Sequence, residues 1–185
     1  MLAALAIVAI AACGAPPNPE IHAAQGAIDA ARAAGASIYA PEEYAAAMTA
    51  LERSRHAVSG RDYRQALNHA LDAHERAQEA ARMAADQRAV VRSEAEHALA
   101  TVEATIRQLD ATLRAAPAAR TGSDILERAR LTLHAAEEAV QESRSAVVSE
   151  NYLTARDATR GLSEQLREAI AQLDAAIAKQ PPVRP

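Results

Sequence analysis

Apolar residues recur along most of the chain in alternating steps of three and four positions, the period of amphipathic α-helices that pack in bundles. The longest such stretch runs from Asp62 to Ala116 and contains neither Gly nor Pro. As one helix it would be about 80 Å long at 1.5 Å per residue. Polar Gln87 and Arg88 interrupt its apolar seam, which predicts a bend or a change of packing partners at that point.

Four shorter helices flank this stretch, and Gly or Pro marks most of their ends. We expect an all-α fold: an elongated, antiparallel, coiled-coil-like bundle of about five helices, in which two three-helix modules share one long central helix. The first module covers residues 20–90 and the second covers residues 91–180. The first helix is predicted to begin after Asn18 as its N-cap and to end at Gly35, and the second to begin at Pro41 and to end at Ser59-Gly60. Thr121-Gly122-Ser123 precedes the predicted fourth helix, and Pro181 follows the fifth.

An internal repeat supports two modules of similar construction. Residues 50–80 align with residues 139–169 without a gap, with ten identities in 31 positions. A Ser-Arg-x-Ala-Val segment followed five residues later by Tyr occurs in both copies. The repeat predicts two helix–turn–helix hairpins in which Tyr63 and Tyr152 each begin the second helix and close the core at one end of their module. The alternative is a similarity that reflects a shared alanine-rich composition.

The composition predicts a thin core. Half of the residues are hydrophobic, but most of those are alanine, and the chain has four Tyr and no Phe or Trp. Alanine buries little apolar area, so we expect closely approaching helices rather than a deep pocket for a small-molecule substrate. The formal net charge of −4 gives no indication of nucleic-acid binding.

The N-terminus has the pattern of an exported, lipid-modified protein. Residues 1–12 carry no charge and include an apolar run too short to span about 30 Å of hydrocarbon, which is typical of a signal peptide. Ile10-Ala11-Ala12-Cys13 resembles the bacterial lipobox, and Cys13 is the only cysteine. The alternative is a buried first helix that ends at a core cysteine.

The lipobox resemblance implies that Cys13 begins the mature chain and carries acyl chains, palmitate among them. Residues 13–19 would then form a tether to the membrane. Gly14 stands where an Asp would mark inner-membrane retention, so the resemblance implies the periplasmic face of the outer membrane. Pro-rich residues 181–185 form a tail.

Residues 20–90 have a second resemblance. They are similar to the helical module of bacterial lipoproteins called domain of unknown function 4398, and their turn resembles that of tetratricopeptide hairpins, which bind peptides and proteins in grooves. The second copy departs from this pattern, because Ser149-Glu150-Asn151 replaces Gly60-Arg61-Asp62. The matching residues are Ala36, Tyr39-Ala40-Pro41, Tyr44, Ala47, Leu51, Ala57, Gly60, Asp62-Tyr63, Ala66, Ala70, Ala73 and Ala77.

The sequence predicts neither an enzyme nor a cofactor or metal site. It lacks a Gly-rich phosphate loop and a Gly-x-Ser-x-Gly elbow. His74-Glu75 is half of a His-Glu-x-x-His zinc motif, but Gln78 stands where the second His belongs. Neighbouring acids such as Glu42 and Glu43 point apart on a helix, which is poor geometry for acid/base work.

A basic cluster around the second turn is the candidate partner contact. Its members are Arg53, Arg55, Arg61 and Arg64, with His56 among them, and Tyr39 and Tyr44 lie nearby in sequence. One interpretation is a contact for anionic lipid, peptidoglycan carboxylates or an acidic partner. The other is a solvated hairpin end, with the tyrosines filling the core.

Together these features predict a non-catalytic, lipid-anchored lipoprotein of the cell envelope that acts as a helical interaction or spacer module. Its expected partners are the membrane, through Cys13, and envelope proteins or peptidoglycan. The alternative is a peptide- or protein-binding adaptor of the tetratricopeptide type in the periplasm. A concave surface rich in exposed Tyr and Asn would favour the adaptor, and wholly buried tyrosines in a straight bundle would favour the spacer.

Overall fold

The computed structural model describes residues 15–116 and 121–178, and every regular element in those two ranges is a helix. This confirms the all-α prediction with a long central helix. Cys13, the signal peptide and the Pro-rich tail lie outside the described residues. The helices are α1 (Asn18–Ala33), α2 (Ala36–Tyr39), α3 (Pro41–Ser59), α4 (Tyr63–Ala115), α5 (Ser123–Val148), α6 (Tyr152–Ala158) and α7 (Leu162–Ala178).

Helix α4 contains 53 residues, as the absence of Gly and Pro predicts. The chain divides into two compact units, and the boundary falls inside this helix, between Gln87 and Arg88. These are the two polar residues that interrupt its apolar seam. We describe each unit by itself.

The core of unit 1 is built mainly from alanine. Helices α1, α2 and α3 and the first part of α4 contribute to it, and only Ile28, Leu51 and Tyr44 are larger buried side chains. Alanine seams allow helix axes to approach at the short end of the 8–10 Å range. The thin core predicted from composition is therefore present in this unit. The alanines of this core cluster are Ala24, Ala31, Ala36, Ala40, Ala47, Ala50, Ala73, Ala77, Ala80 and Ala84, and Ala66 and Ala70 of α4 are also fully buried.

The core of unit 2 uses larger aliphatic residues. The second part of α4 contributes Val102 and Leu109, and α5 contributes Leu126 and Val140. Helix α7 completes the core with Leu166, Ile170 and Leu173. Each larger side chain removes more apolar area from water than an alanine does, so this core gains more from burial per residue.

The prediction for the first helix start is wrong by one residue. Asn18 is already helical, Pro17 is the N-cap, and no side chain caps the helix. The Asn18 N–H instead donates to the Pro16 carbonyl at 2.8 Å. At the other end, Gly35 has φ +86°, and a Cβ there would lie 3.2 Å from Tyr39 Cδ2, so the chain needs glycine where it turns into the one-turn helix α2.

The predicted fifth helix is interrupted. Residues 159–161 separate α6 from α7, and Gly161 adopts φ +75°. The Thr159 hydroxyl donates to the Arg156 carbonyl at 3.0 Å, and the Leu162 N–H donates to the Thr159 carbonyl at 3.3 Å. A left-handed glycine ends a helix. Periodicity alone does not reveal this break, because the apolar positions continue in phase across it.

Candidate functional site

The two hairpins predicted by the repeat have the same turn. Arg61 and Glu150, which the alignment superimposes, both have φ 58°. The following N–H groups bond back in the same way, from Asp62 to the Ala57 carbonyl at 2.9 Å and from Asn151 to the Ala146 carbonyl at 2.8 Å. This is the Schellman pattern of a helix C-terminus, with Arg and Glu in the left-handed position that glycine usually occupies.

A buried serine joins the two helices of each hairpin. The Ser54 hydroxyl donates to the Ala66 carbonyl at 2.7 Å, and the Ser143 hydroxyl donates to the Ala155 carbonyl at 2.9 Å. Both serines are fully buried. The repeat marks them as identities, and a polar residue in an apolar seam is the signal that sequence analysis did not use.

The structural equivalence of the two hairpins extends to the helix that packs against each of them, α1 in unit 1 and the second part of α4 in unit 2. Arg55 donates to Gln25 Oε1 of α1 at 2.7 Å, and its counterpart Arg144 donates to Glu103 Oε1 of α4 at 2.8 Å. Helix α1 in unit 1 therefore takes the place that the second part of α4 takes in unit 2. In that register Asn18, the first residue of α1, is equivalent to Glu96.

The two equivalent tyrosines have different surroundings. Tyr152 is 6% exposed, with the guanidinium groups of Arg88 and Arg92 at 5.7 and 5.9 Å from its ring centre. A hydrogen bond to Glu96 raises the pKa of Arg92, and the charge of Glu96 adds to this. Tyr63 is only half-buried.

The prediction that Tyr63 closes the core of its module is therefore wrong, whereas Tyr152 is a core residue. The helix that covers Tyr152 extends back to Arg88 and Arg92. Its counterpart α1 begins at Asn18, the position equivalent to Glu96 of α4. Helix α1 therefore lacks the turns equivalent to Arg88 and Arg92 and does not extend over Tyr63.

The other two tyrosines belong to the core of unit 1. Tyr44 is buried, and its hydroxyl accepts a hydrogen bond from Arg32 Nε at 2.7 Å. Tyr39 is half-buried against the same core. Of the two interpretations of these residues, the structure favours core filling over a partner contact, because neither ring is free.

The four arginines of the candidate contact do not share one surface. Arg55 is directed toward α1, where it bonds Gln25 and pairs with Glu52 at 2.6 Å. Arg53, Arg61 and Arg64 are exposed and, among the described residues, have no acceptor. We call these three residues the basic hairpin end, since all lie within about two helical turns of the turn at residues 60–62.

A groove of about 550 Å³ lies between α3 and α4 beside the basic hairpin end. Its two acidic side chains are already engaged: Glu52 pairs with Arg55, and Asp62 Oδ1 accepts the Gln65 N–H at 3.0 Å. The Gln65 N–H is neutral, so Asp62 keeps its negative charge. The three arginines of the basic hairpin end outnumber it, and the net charge around the groove is positive. Its lining residues are Thr49, Glu52, Arg53, His56, Ala57, Gly60, Asp62, Gln65 and His69.

The second hairpin carries the opposite charge on the same backbone. Residues 48–69 contain four arginines against Glu52 and Asp62, a net charge of +2. The superimposed residues 137–158 contain Arg144 and Arg156 against five carboxylates, a net charge of −3. Glu142, Glu150 and Leu153 stand where the first hairpin has Arg53, Arg61 and Arg64. The fold of the hairpin does not require arginine at these positions.

Within the described ranges, no three His, Cys, Asp or Glu side chains are grouped to hold a metal ion. No helix in those ranges combines the length and apolarity needed to cross a membrane.

The chain matches no protein-family model, no curated protein and no solved structure. The resemblances to the lipobox and to domain of unknown function 4398 therefore stay predictions.

Proposed function

We propose that this protein is a non-catalytic lipoprotein of the bacterial cell envelope, anchored through acyl chains on Cys13, with its helical units serving as an interaction or spacer module. The observation that carries the proposal is the segment Ile10-Ala11-Ala12-Cys13, which follows an uncharged apolar run and holds the only cysteine. Two or more acyl chains together give stable membrane attachment.

The tyrosines support a spacer over a tetratricopeptide-type adaptor. Tyr44 and Tyr152 are buried, and Tyr39 and Tyr63 are half-buried, so none is fully exposed as a binding residue. Gly14 after the cysteine favours the periplasmic face of the outer membrane, by the same resemblance that identifies the lipobox.

Acylation is tested by expressing the chain in a bacterium with labelled palmitate. We expect label in the protein, recovery in the membrane fraction, and an intact mass equal to residues from Cys13 onward plus a lipid group that carries three acyl chains. Cys13→Ser should lose label and membrane recovery together. Ser59→Ala, which changes an exposed helical serine, is the control that should keep both. A wild-type chain without label and with residues 1–12 still attached would refute the proposal.

A further inference from the structure

The geometry of unit 1 places the basic hairpin end on the same side as the proposed lipid anchor. Helices α1 and α3 are antiparallel, because Gln25 of α1 contacts Arg55 of α3 and Arg32 of α1 contacts Tyr44. Following α1 back to its first residue and α3 forward to its last residue leads to one end of the unit. The start of α1 and the turn at residues 60–62 therefore lie at that end.

The distance from Cys13 to this end is short. Asn18 begins α1 five residues after Cys13, and a chain spans at most about 3.6 Å per residue. The anchor is thus within roughly 18 Å of the start of α1. If Cys13 is acylated, this tether lets the basic hairpin end reach the membrane surface, and within a Debye length of about 8 Å at physiological salt arginine is attracted to anionic lipid.

We propose that Arg53, Arg61 and Arg64 contact the head groups of anionic phospholipids in the membrane that holds the anchor. This rests on the proposed function. Three arginines there have no acceptor among the described residues, whereas of the two acids beside them Glu52 is paired with Arg55 and Asp62 accepts a backbone N–H at the start of α4. The second hairpin has the same backbone without this charge, so the arginines are not explained by folding.

The acidic side chains that could pair with these arginines all lie within the described ranges. Residues 1–14, 117–120 and 179–185 contain no acidic side chain. A second copy does offer exposed carboxylates without a partner in the described residues, Glu137 and Glu142, so the test includes an arm for that occupant. A membrane surface, in contrast, is brought to the arginines by the anchor itself.

The contact is tested with the acylated full chain in vesicles of phosphatidylcholine alone or with 30% phosphatidylglycerol, a composition chosen for its charge. Backbone hydrogen exchange of residues 53–69 is followed by mass spectrometry. Each arginine near an anionic surface shifts a contact equilibrium by about fivefold. We therefore expect exchange to slow about fivefold or more with phosphatidylglycerol, and the slowing to disappear at high salt.

An anionic surface also concentrates protons, which slows exchange without any contact, so variants are compared on the same vesicles. Arg53→Gln, Arg61→Gln and Arg64→Gln combined should remove the extra protection. The matched control changes three other exposed arginines without partners in the described residues, Arg107→Gln, Arg128→Gln and Arg130→Gln, and should keep it.

Three results overturn the proposal. The first is equal hydrogen exchange of residues 53–69 on the two kinds of vesicle, and the second is equal exchange in the wild type and the Arg53, Arg61 and Arg64 triple variant on phosphatidylglycerol vesicles. The third is protection on phosphatidylcholine that grows with protein density, which indicates that a second copy makes the contact. Intact mass is measured on the same samples. A chain without acyl groups refutes the proposed function, whereas an acylated chain without this protection refutes the lipid contact alone.

Discussion

Arg61 and Glu150 hold the same backbone conformation at the same place in two superimposable hairpins, yet they differ in charge. The positions that maintain the hairpin are chemically alike in both copies: a buried serine bonded across the helices, small residues in the seam, and the bonds of the turn. The exposed positions are not alike, and one surface is basic where the other is acidic. Internal contacts thus determine the fold of the hairpin, and its exposed charged residues can differ between the copies and bind a partner.

The largest predicted difference between the hairpins is at the two tyrosines. Tyr152→Ala should lower the free energy of unfolding by ~3–5 kcal/mol, since it removes a buried aromatic ring and its two arginine contacts. Tyr63→Ala removes a half-buried ring and should cost about half as much. Denaturant unfolding of the two variants checks this order. Equal losses would mean that Tyr63 is as well covered as Tyr152.

The two serines should behave alike. Ser54→Ala and Ser143→Ala each remove a buried hydroxyl that satisfies a carbonyl of the facing helix, and each should cost ~1–2 kcal/mol. Ser59→Ala at an exposed site should change stability by less than about 0.5 kcal/mol. Urea unfolding of the three variants measures this. A loss confined to one buried serine would show that the hairpins are not equivalent in their energetics.

The left-handed turn residues should show the smallest effect on stability, and it should be a gain. Arg61→Gly relieves a conformation that side chains rarely adopt, so it should stabilise its unit by ~0.5–1 kcal/mol. Glu150→Gly relieves the same conformation but also removes the ion pair with Arg88, so its gain should be smaller. Gly60 has φ −80°, and a Cβ there would lie 3.6 Å from the nearest atom, the Ala57 carbonyl oxygen. Gly60→Ala should therefore not destabilise. A loss of thermal stability with Arg61→Gly, whose side chain has no partner in the described residues, would contradict the turn assignment.

Periodicity was sufficient to predict the all-α fold, the uninterrupted helix α4 and the two hairpins, because apolar spacing and the absence of Gly and Pro are local properties. It did not predict the different burial of Tyr63 and Tyr152. Both tyrosines have the same phase, and their burial depends on where a third helix begins, far away in sequence. Nor did it predict that Arg61, rather than Gly60, adopts the left-handed conformation.

The candidate site was only partly predicted. The sequence showed the basic cluster, but not that Arg55 turns toward α1 and leaves Arg53, Arg61 and Arg64 exposed. Residues 53 and 55 are only two positions apart in the sequence but differ by about 200° around a helix axis, so they cannot serve one surface. Tyr44 was a candidate by proximity in sequence and is instead part of the core.

The central claim is that the exposed arginines of the first hairpin bind a partner and are not needed for the hairpin to fold. It is tested most directly by copying the residues of the second hairpin into the first, as Arg53→Glu, Arg61→Glu and Arg64→Leu, in the acylated chain. We predict that stability changes by no more than about 1 kcal/mol, since exposed charges contribute little, while protection of residues 53–69 on phosphatidylglycerol vesicles is lost. A large loss of stability, or protection that persists, would contradict the account.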